Sequence, residues 1–149
     1  MEKGEIINAL NRNLRAELSA VEIYGAHAEA IKEDEIAQGV KAILEVERGH
    51  AEKLTKRIEE LGGLPAQPGE KDTRIGKSLG MTSSQASTQE MLKFELSEEQ
   101  QAIKDYSFQI AYIMDDTTTI EMLKKNLMDE IDHADWLKSK IAELELKQK

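Results

Sequence analysis

At 149 residues the chain is long enough for one domain with a full core and too short for two ordinary ones. Charged residues make up 33% of it and prolines number two, the composition of long amphipathic helices, so the expected class is all-α. The formal charge of −9, with no long basic run, argues against a nucleic-acid partner, and the lack of cysteine excludes disulfides, thiolate metal sites and thiol catalysis.

The N-terminus, Met1-Glu2-Lys3-Gly4-Glu5, does not read as a secretory leader, and no apolar run approaches the roughly 18 residues that span a bilayer, so a cytoplasmic protein without membrane attachment is expected. The first predicted helix covers about 5–31, where Ile7, Leu10, Leu14, Val21, Tyr24, Ala28 and Ile31 recur at helical spacing and Glu17 fills the missing step. The second covers about 35–61, with Ile36, Val40, Ile43, Leu54 and Leu61 on its seam and Glu47 and His50 at its centre. Residues 62–86 hold both prolines, Pro65 and Pro68, together with Gly62, Gly63, Gly69, Gly76 and Gly80, and read as a crossover loop.

The third helix, about 87–113, opens at Ser87 with Glu90 in capping-box spacing. Its seam is Leu92, Leu96, Ile103, Tyr106, Ile110 and Ile113, with Glu99 in the gap. The fourth, about 118–146, is expected to be capped by Thr118 with Glu121, and its seam from Ile120 to Leu144 has Glu130 in the middle. Short first and last connections make two antiparallel hairpins, and a crossover of about 25 residues is long enough to run the length of the bundle. The domain reading is a single unit, 1–149.

The two hairpins are one pattern used twice. Glu47-Arg48-Gly49-His50 recurs as Glu130-Ile131-Asp132-His133, and Ala51, Leu54, Ile58 and Leu61 match Ala134, Leu137, Ile141 and Leu144, all at an offset of 83. Glu17, Ala20, Val21 and Tyr24 match Glu99, Ala102, Ile103 and Tyr106 at an offset of 82. Glu95 and Glu98 neighbour Glu99, but only Glu99 fits both the seam and the repeat. His27 has no counterpart in this alignment and is expected at the surface or a boundary.

In each Glu-x-x-His turn, residues i and i+3 share a face and can offer an oxygen and a nitrogen to one ion. Four glutamates interrupting four apolar seams need compensation, because burying an unpaired carboxylate costs several kcal/mol. Two divalent cations balance four carboxylates, and the carboxylate–imidazole set suits iron, manganese or zinc. A polar layer held by internal hydrogen bonds and protonated acids is the competing reading, and it leaves the duplicated histidines unexplained. Tyr24 and Tyr106 fit two roles, as hydrogen-bond partners of the ligand carboxylates or as ordinary core tyrosines.

These residues resemble the ferritin-like diiron-carboxylate superfamily, which carries one Glu on each of two helices and Glu-x-x-His on the other two. Within it the bacterioferritin branch is the most similar. Asp129-Glu130-Ile131-Asp132-His133-Ala134-Asp135-Trp136-Leu137 is similar to its fourth-helix signature, as are Met91-Leu92 ahead of Glu99 and Leu64-Pro65 after the second helix. The resemblance implies a ferritin-like four-helix bundle that assembles as a homo-oligomer, a dimer at least. It implies Glu17, Glu47, Glu99 and Glu130 as carboxylate ligands, Glu47 and Glu130 bridging, with His50 and His133 as terminal nitrogens. The implied activity is that of a ferroxidase in iron homeostasis or oxidative-stress protection: two Fe2+ bind, with Mn or Zn as substitutes, and O2 or H2O2 accepts their electrons.

An iron-storage cage subunit and a rubrerythrin-like peroxide reductase are the alternatives. Three departures qualify the resemblance. Arg48 stands where bacterioferritin carries its haem-ligating methionine, so no haem is expected. Lys149 follows soon after Leu146, so the family's short fifth helix after the fourth, and with it a storage cage, is not expected. Ala102 replaces the additional glutamate of the rubrerythrins, and their cysteines are lacking.

Overall fold

The apolar seams run along four long helices and close on one another. The computed structural model describes residues 1–148; Lys149, the last residue of the expected domain, lies outside them. The long helices are α1 (Lys3–Ala30), α2 (Asp34–Glu60), α4 (Thr88–Tyr112) and α5 (Thr117–Lys147), with a shorter α3 (Lys71–Ser83) between the pairs. Helices α1 and α2 form one hairpin and α4 and α5 the other.

Side-chain pairs fix the remaining directions. Asn13 meets Gln109 and His27 meets Glu95, so α1 and α4 are antiparallel. Arg57 meets Asp116 and Glu35 meets Lys140, so α2 and α5 are antiparallel too. It follows that α2 and α4 point the same way, and the chain between them must travel the length of the bundle.

That crossover differs from the predicted loop. Residues 71–83 are helical because Thr73, Gly76 and Gly80, spaced three and four apart, form one buried face against α1. A Cβ at Gly76 would collide with Ser19 Oγ and fall 2.8 Å from Ser19 Cα, and one at Gly80 would fall 3.0 Å from Ile23 Cα. These glycines permit close helix packing, whereas Gly62 and Gly69 act as turn residues with φ of 84° and 93°. The Pro65 segment is pinned by Asn11, whose Nδ2 donates to Leu64 O (3.1 Å) and whose Oδ1 accepts from Ala66 N (2.8 Å).

Helices α4 and α5 are capped by side chains at their N-termini. Ser87 Oγ accepts from Glu90 N at 3.2 Å, satisfying an orphan donor at the start of α4. The cap of α5 is Asp116, not the expected Thr118, and its Oδ1 accepts from Thr119 N at 3.0 Å. Arg57 from α2 holds the same carboxylate at 2.8 Å, a tertiary contact that favours Asp116 and that local spacing does not reveal.

Two apolar clusters fill the bundle. One contains Ile23, Tyr24, Val40, Leu92 and Leu137, the other Leu10, Leu14, Leu54, Ile58 and Leu123. The glutamate and histidine positions of the repeat fall between them. At one end of the first cluster the ring of Trp136 lies against Gly39, where any Cβ would overlap it.

Candidate metal centre

Each long helix delivers its mid-seam polar residues to the layer between the apolar clusters. Glu17 comes from α1, Glu47 and His50 from α2, Glu99 from α4, and Glu130 and His133 from α5. All six are buried. They form two overlapping groups, Glu17–Glu47–His50–Glu130 and Glu47–Glu99–Glu130–His133, and within each group one atom per residue lies within 4.8 Å of the others. Glu47 and Glu130 belong to both.

Both histidines turn Nδ1 inward. His50 Nδ1 is 3.5 Å from Glu17, 3.4 Å from Glu47 and 3.4 Å from Glu130. His133 Nδ1 is 3.5 Å from Glu47, 3.3 Å from Glu99 and 3.4 Å from Glu130. Among the described residues, Glu17 Oε2, Glu47 Oε1, Glu99 Oε2, Glu130 Oε1 and both Nδ1 atoms are buried without a hydrogen-bond partner. Buried polar atoms are seldom left so. Six convergent orphan atoms, all oxygen or imidazole nitrogen, fit a pair of divalent cations of the iron, manganese or zinc type.

The electrostatics describe the same strain. Burial pushes Glu47 well above the usual carboxylate range, and the charges of Glu17, Glu130 and Glu99 push it further. Glu99 is raised to about 8, again chiefly by burial, and Glu17 is raised for the same reason. Burial opposes the ionised form of Glu130 too, but the nearby His133 and Glu47 side chains and the His50 ring outweigh it and draw this carboxyl down. Burial alone would lower His133; the Glu130 and Glu99 carboxylates reverse this and raise it to about 10. Burial and mutual repulsion therefore favour the protonated form of Glu47, whereas the neighbouring histidines favour the ionised form of Glu130.

The two tyrosines cross between hairpins. Tyr24 on α1 donates to Glu99 Oε1 at 3.0 Å, and Tyr106 on α4 donates to Glu17 Oε1 at 2.9 Å. Burial holds both phenols well above their ordinary range, so each stays a donor. Outside them lies a second pair of contacts that sequence reasoning missed. His27, expected near the surface, is fully buried, with Nδ1 2.6 Å from Glu95 Oε2 and Nε2 2.6 Å from Ser83 Oγ. At the offset of 82 these positions correspond to Gln109 and Asn13, which pair through their amides, Gln109 Nε2 donating to Asn13 Oδ1 at 2.8 Å. The repeat therefore does give His27 a counterpart, concealed by the change from an ionisable pair to an amide pair.

A cavity of about 40 Å³ opens between α1 and α4 beside the cluster, lined by Ala16, Ala20 and Ala102 with Glu98 and Asp105 among its acids. It has room for water-sized species and none for an organic substrate. Arg48 is exposed, pairs with Glu45, and lines a separate open groove on α1 and α2.

A four-helix frame with a layer of buried carboxylates and histidines defines a metal-centre bundle. The sequence model of the ferritin-like domain matches residues 7–147, and the chain belongs to the ferritin-like family. Among its relatives, the bacterioferritin of Mycobacterium bovis is 29% identical over 142 residues, 92% of this chain and 84% of the relative. The bacterioferritin of Rhodobacter capsulatus, solved with a metal-free dinuclear site and haem iron, superposes with a TM-score of 0.74 at 27% identity, over 93% of this chain and 84% of that one. The dodecameric thioferritin of Bacteroides fragilis shares the fold, with a TM-score of 0.84 at 23% identity over 99% and 90% of the two chains.

Proposed function

We propose that this single ferritin-like domain binds two Fe2+ through Glu17, Glu47, His50, Glu99, Glu130 and His133 and oxidises them with O2 or H2O2, a ferroxidase-type activity. The observation that carries the reading is the pair of overlapping buried groups sharing Glu47 and Glu130, each residue offering an atom that has no other partner. When bound, the two Fe2+ ions supply two electrons to the oxidant, which takes up two protons as O2 goes to H2O2 or as H2O2 goes to water. Glu47 and Glu130, common to both groups, are the residues suited to bridge the ions. Tyr24 and Tyr106 orient the outer carboxylates, and the apolar clusters on either side keep bulk water from the layer.

The small cavity supports a small oxidant. Manganese or zinc would occupy the same ligands without the same turnover. Arg48 offers no soft axial ligand, so we expect no haem. A cytoplasmic homo-oligomer fits this reading, and no helix among the described residues is long and apolar enough to cross a membrane.

Anaerobic Fe2+ titration followed by oxygen should show about two irons oxidised per chain; no binding, with oxidation no faster than in buffer, would falsify the reading. Running the second phase with H2O2 identifies the faster oxidant. Similarity to bacterioferritins over 84% of their length also favours an iron-storage subunit, which sedimentation of the iron-loaded protein as a closed shell would establish.

A further inference from the structure

The two halves of the centre come from one repeat, yet the groups behind their histidines differ. His50 directs Nδ1 at the carboxylate cluster while its Nε2 lies 2.8 Å from Asp129 Oδ2. A carboxylate at that distance accepts from Nε2–H, which fixes the ring's rotation and keeps Nδ1, the atom that would ligate, directed at the cluster. His133 directs Nδ1 inward in the same way, but its side chain is 10% exposed and no partner for its Nε2 is found among the described residues. The repeat supplies the reason: at the offset of 83, Asp129 corresponds to Val46, which has no side-chain acceptor.

We propose that Asp129 makes the two metal positions unequal, so that the first divalent cation enters the Glu17–Glu47–His50–Glu130 position and the second the Glu47–Glu99–Glu130–His133 position. A ring already held in its ligating orientation gives up no rotational freedom on binding, and a hydrogen bond to carboxylate makes its free nitrogen more basic. Partners of this kind are worth roughly 10- to 100-fold in metal affinity. Asp129 is a positioning residue: it acts through His50 and does not itself face the cluster. The inference rests on the dinuclear reading above, and it is independent of which oxidant is used.

Zinc tests it without any redox chemistry. Crystals of the full chain grown with one equivalent of Zn2+ should show anomalous density concentrated between Glu17 and His50, and with two equivalents at both positions. Calorimetric titration should resolve two phases separated by roughly 10- to 100-fold. Asp129→Val, which copies the other half, should merge the phases and spread one equivalent over both positions, while Val46→Asp, adding an acceptor behind His133, should draw the first ion toward Glu99 and His133. Equal filling in the unaltered protein, first occupancy at the His133 position, or equal weakening of both phases by Asp129→Val would overturn the ordering and leave the dinuclear centre standing. Failure of zinc to bind any of the six residues would overturn both.

Discussion

Behind each tyrosine of the polar layer stands a buried polar pair that joins α1 to α4, ionisable as His27–Glu95 and neutral as Asn13–Gln109. The two pairs occupy equivalent places in the repeat, so each is a natural substitute for the other. Removing one member strands its partner in the core. His27→Leu or Glu95→Leu alone should therefore cost about 3 kcal/mol. The double variant His27→Leu with Glu95→Leu should cost less than the sum of the two, giving a coupling of about 1–3 kcal/mol in a urea-denaturation cycle, and the exchange His27→Gln with Glu95→Asn should recover most of the loss. Additive losses would show that the pair does not act as a unit. Glu17, Glu47, Glu99, Glu130, His50 and His133 were legible in the sequence because each breaks an apolar seam at a repeated position. Glu95 lies one turn before Glu99 and His27 one turn beyond Tyr24, and only the approach of α4 to α1 reveals them as partners.

Glycine carries opposite meanings in different helices of this chain. Gly76 of α3 rests on the backbone of α1, and Gly76→Ala should cost about 1–3 kcal/mol through overpacking and loosen α3 first. Gly49 lies inside α2 with nothing within 4 Å of where its Cβ would stand, so Gly49→Ala should raise stability by about 1 kcal/mol. Thermal unfolding of both variants checks the contrast, and hydrogen exchange over residues 71–83 locates the first effect. The four long helices were legible because each has more than 20 residues of regular seam. Helix α3 was not, because its buried face is made of Thr73, Gly76 and Gly80. A sequence window reads those residues as loop formers until α1 is there to pack against them.

Across the whole molecule, the polar layer sets how stability depends on pH. Glu99 at about 8 and His133 at about 10 both lie above their unfolded values near 4.3 and 6.5. The folded metal-free chain thus binds more protons than the unfolded one, and the stability these groups contribute is full at low pH and lost as pH rises through the folded values. Glu130, drawn down, acts the other way only at lower pH. The metal-free protein should become easier to denature with urea between about pH 5 and pH 8. Zn2+ at 100 times its dissociation constant should add about 2.7 kcal/mol and abolish most of that slope. A flat profile without metal would mean that the layer is neutralised by some other means.

Trp136, whose ring lies against Gly39 and whose position is one helical turn from His133, is the only tryptophan in the chain. All indole emission therefore originates at a single point one helical turn from His133, a ligand in the proposed dinuclear site. The polypeptide carries its own optical reporter, and occupancy near His133 becomes readable by fluorescence without a label or a second chromophore.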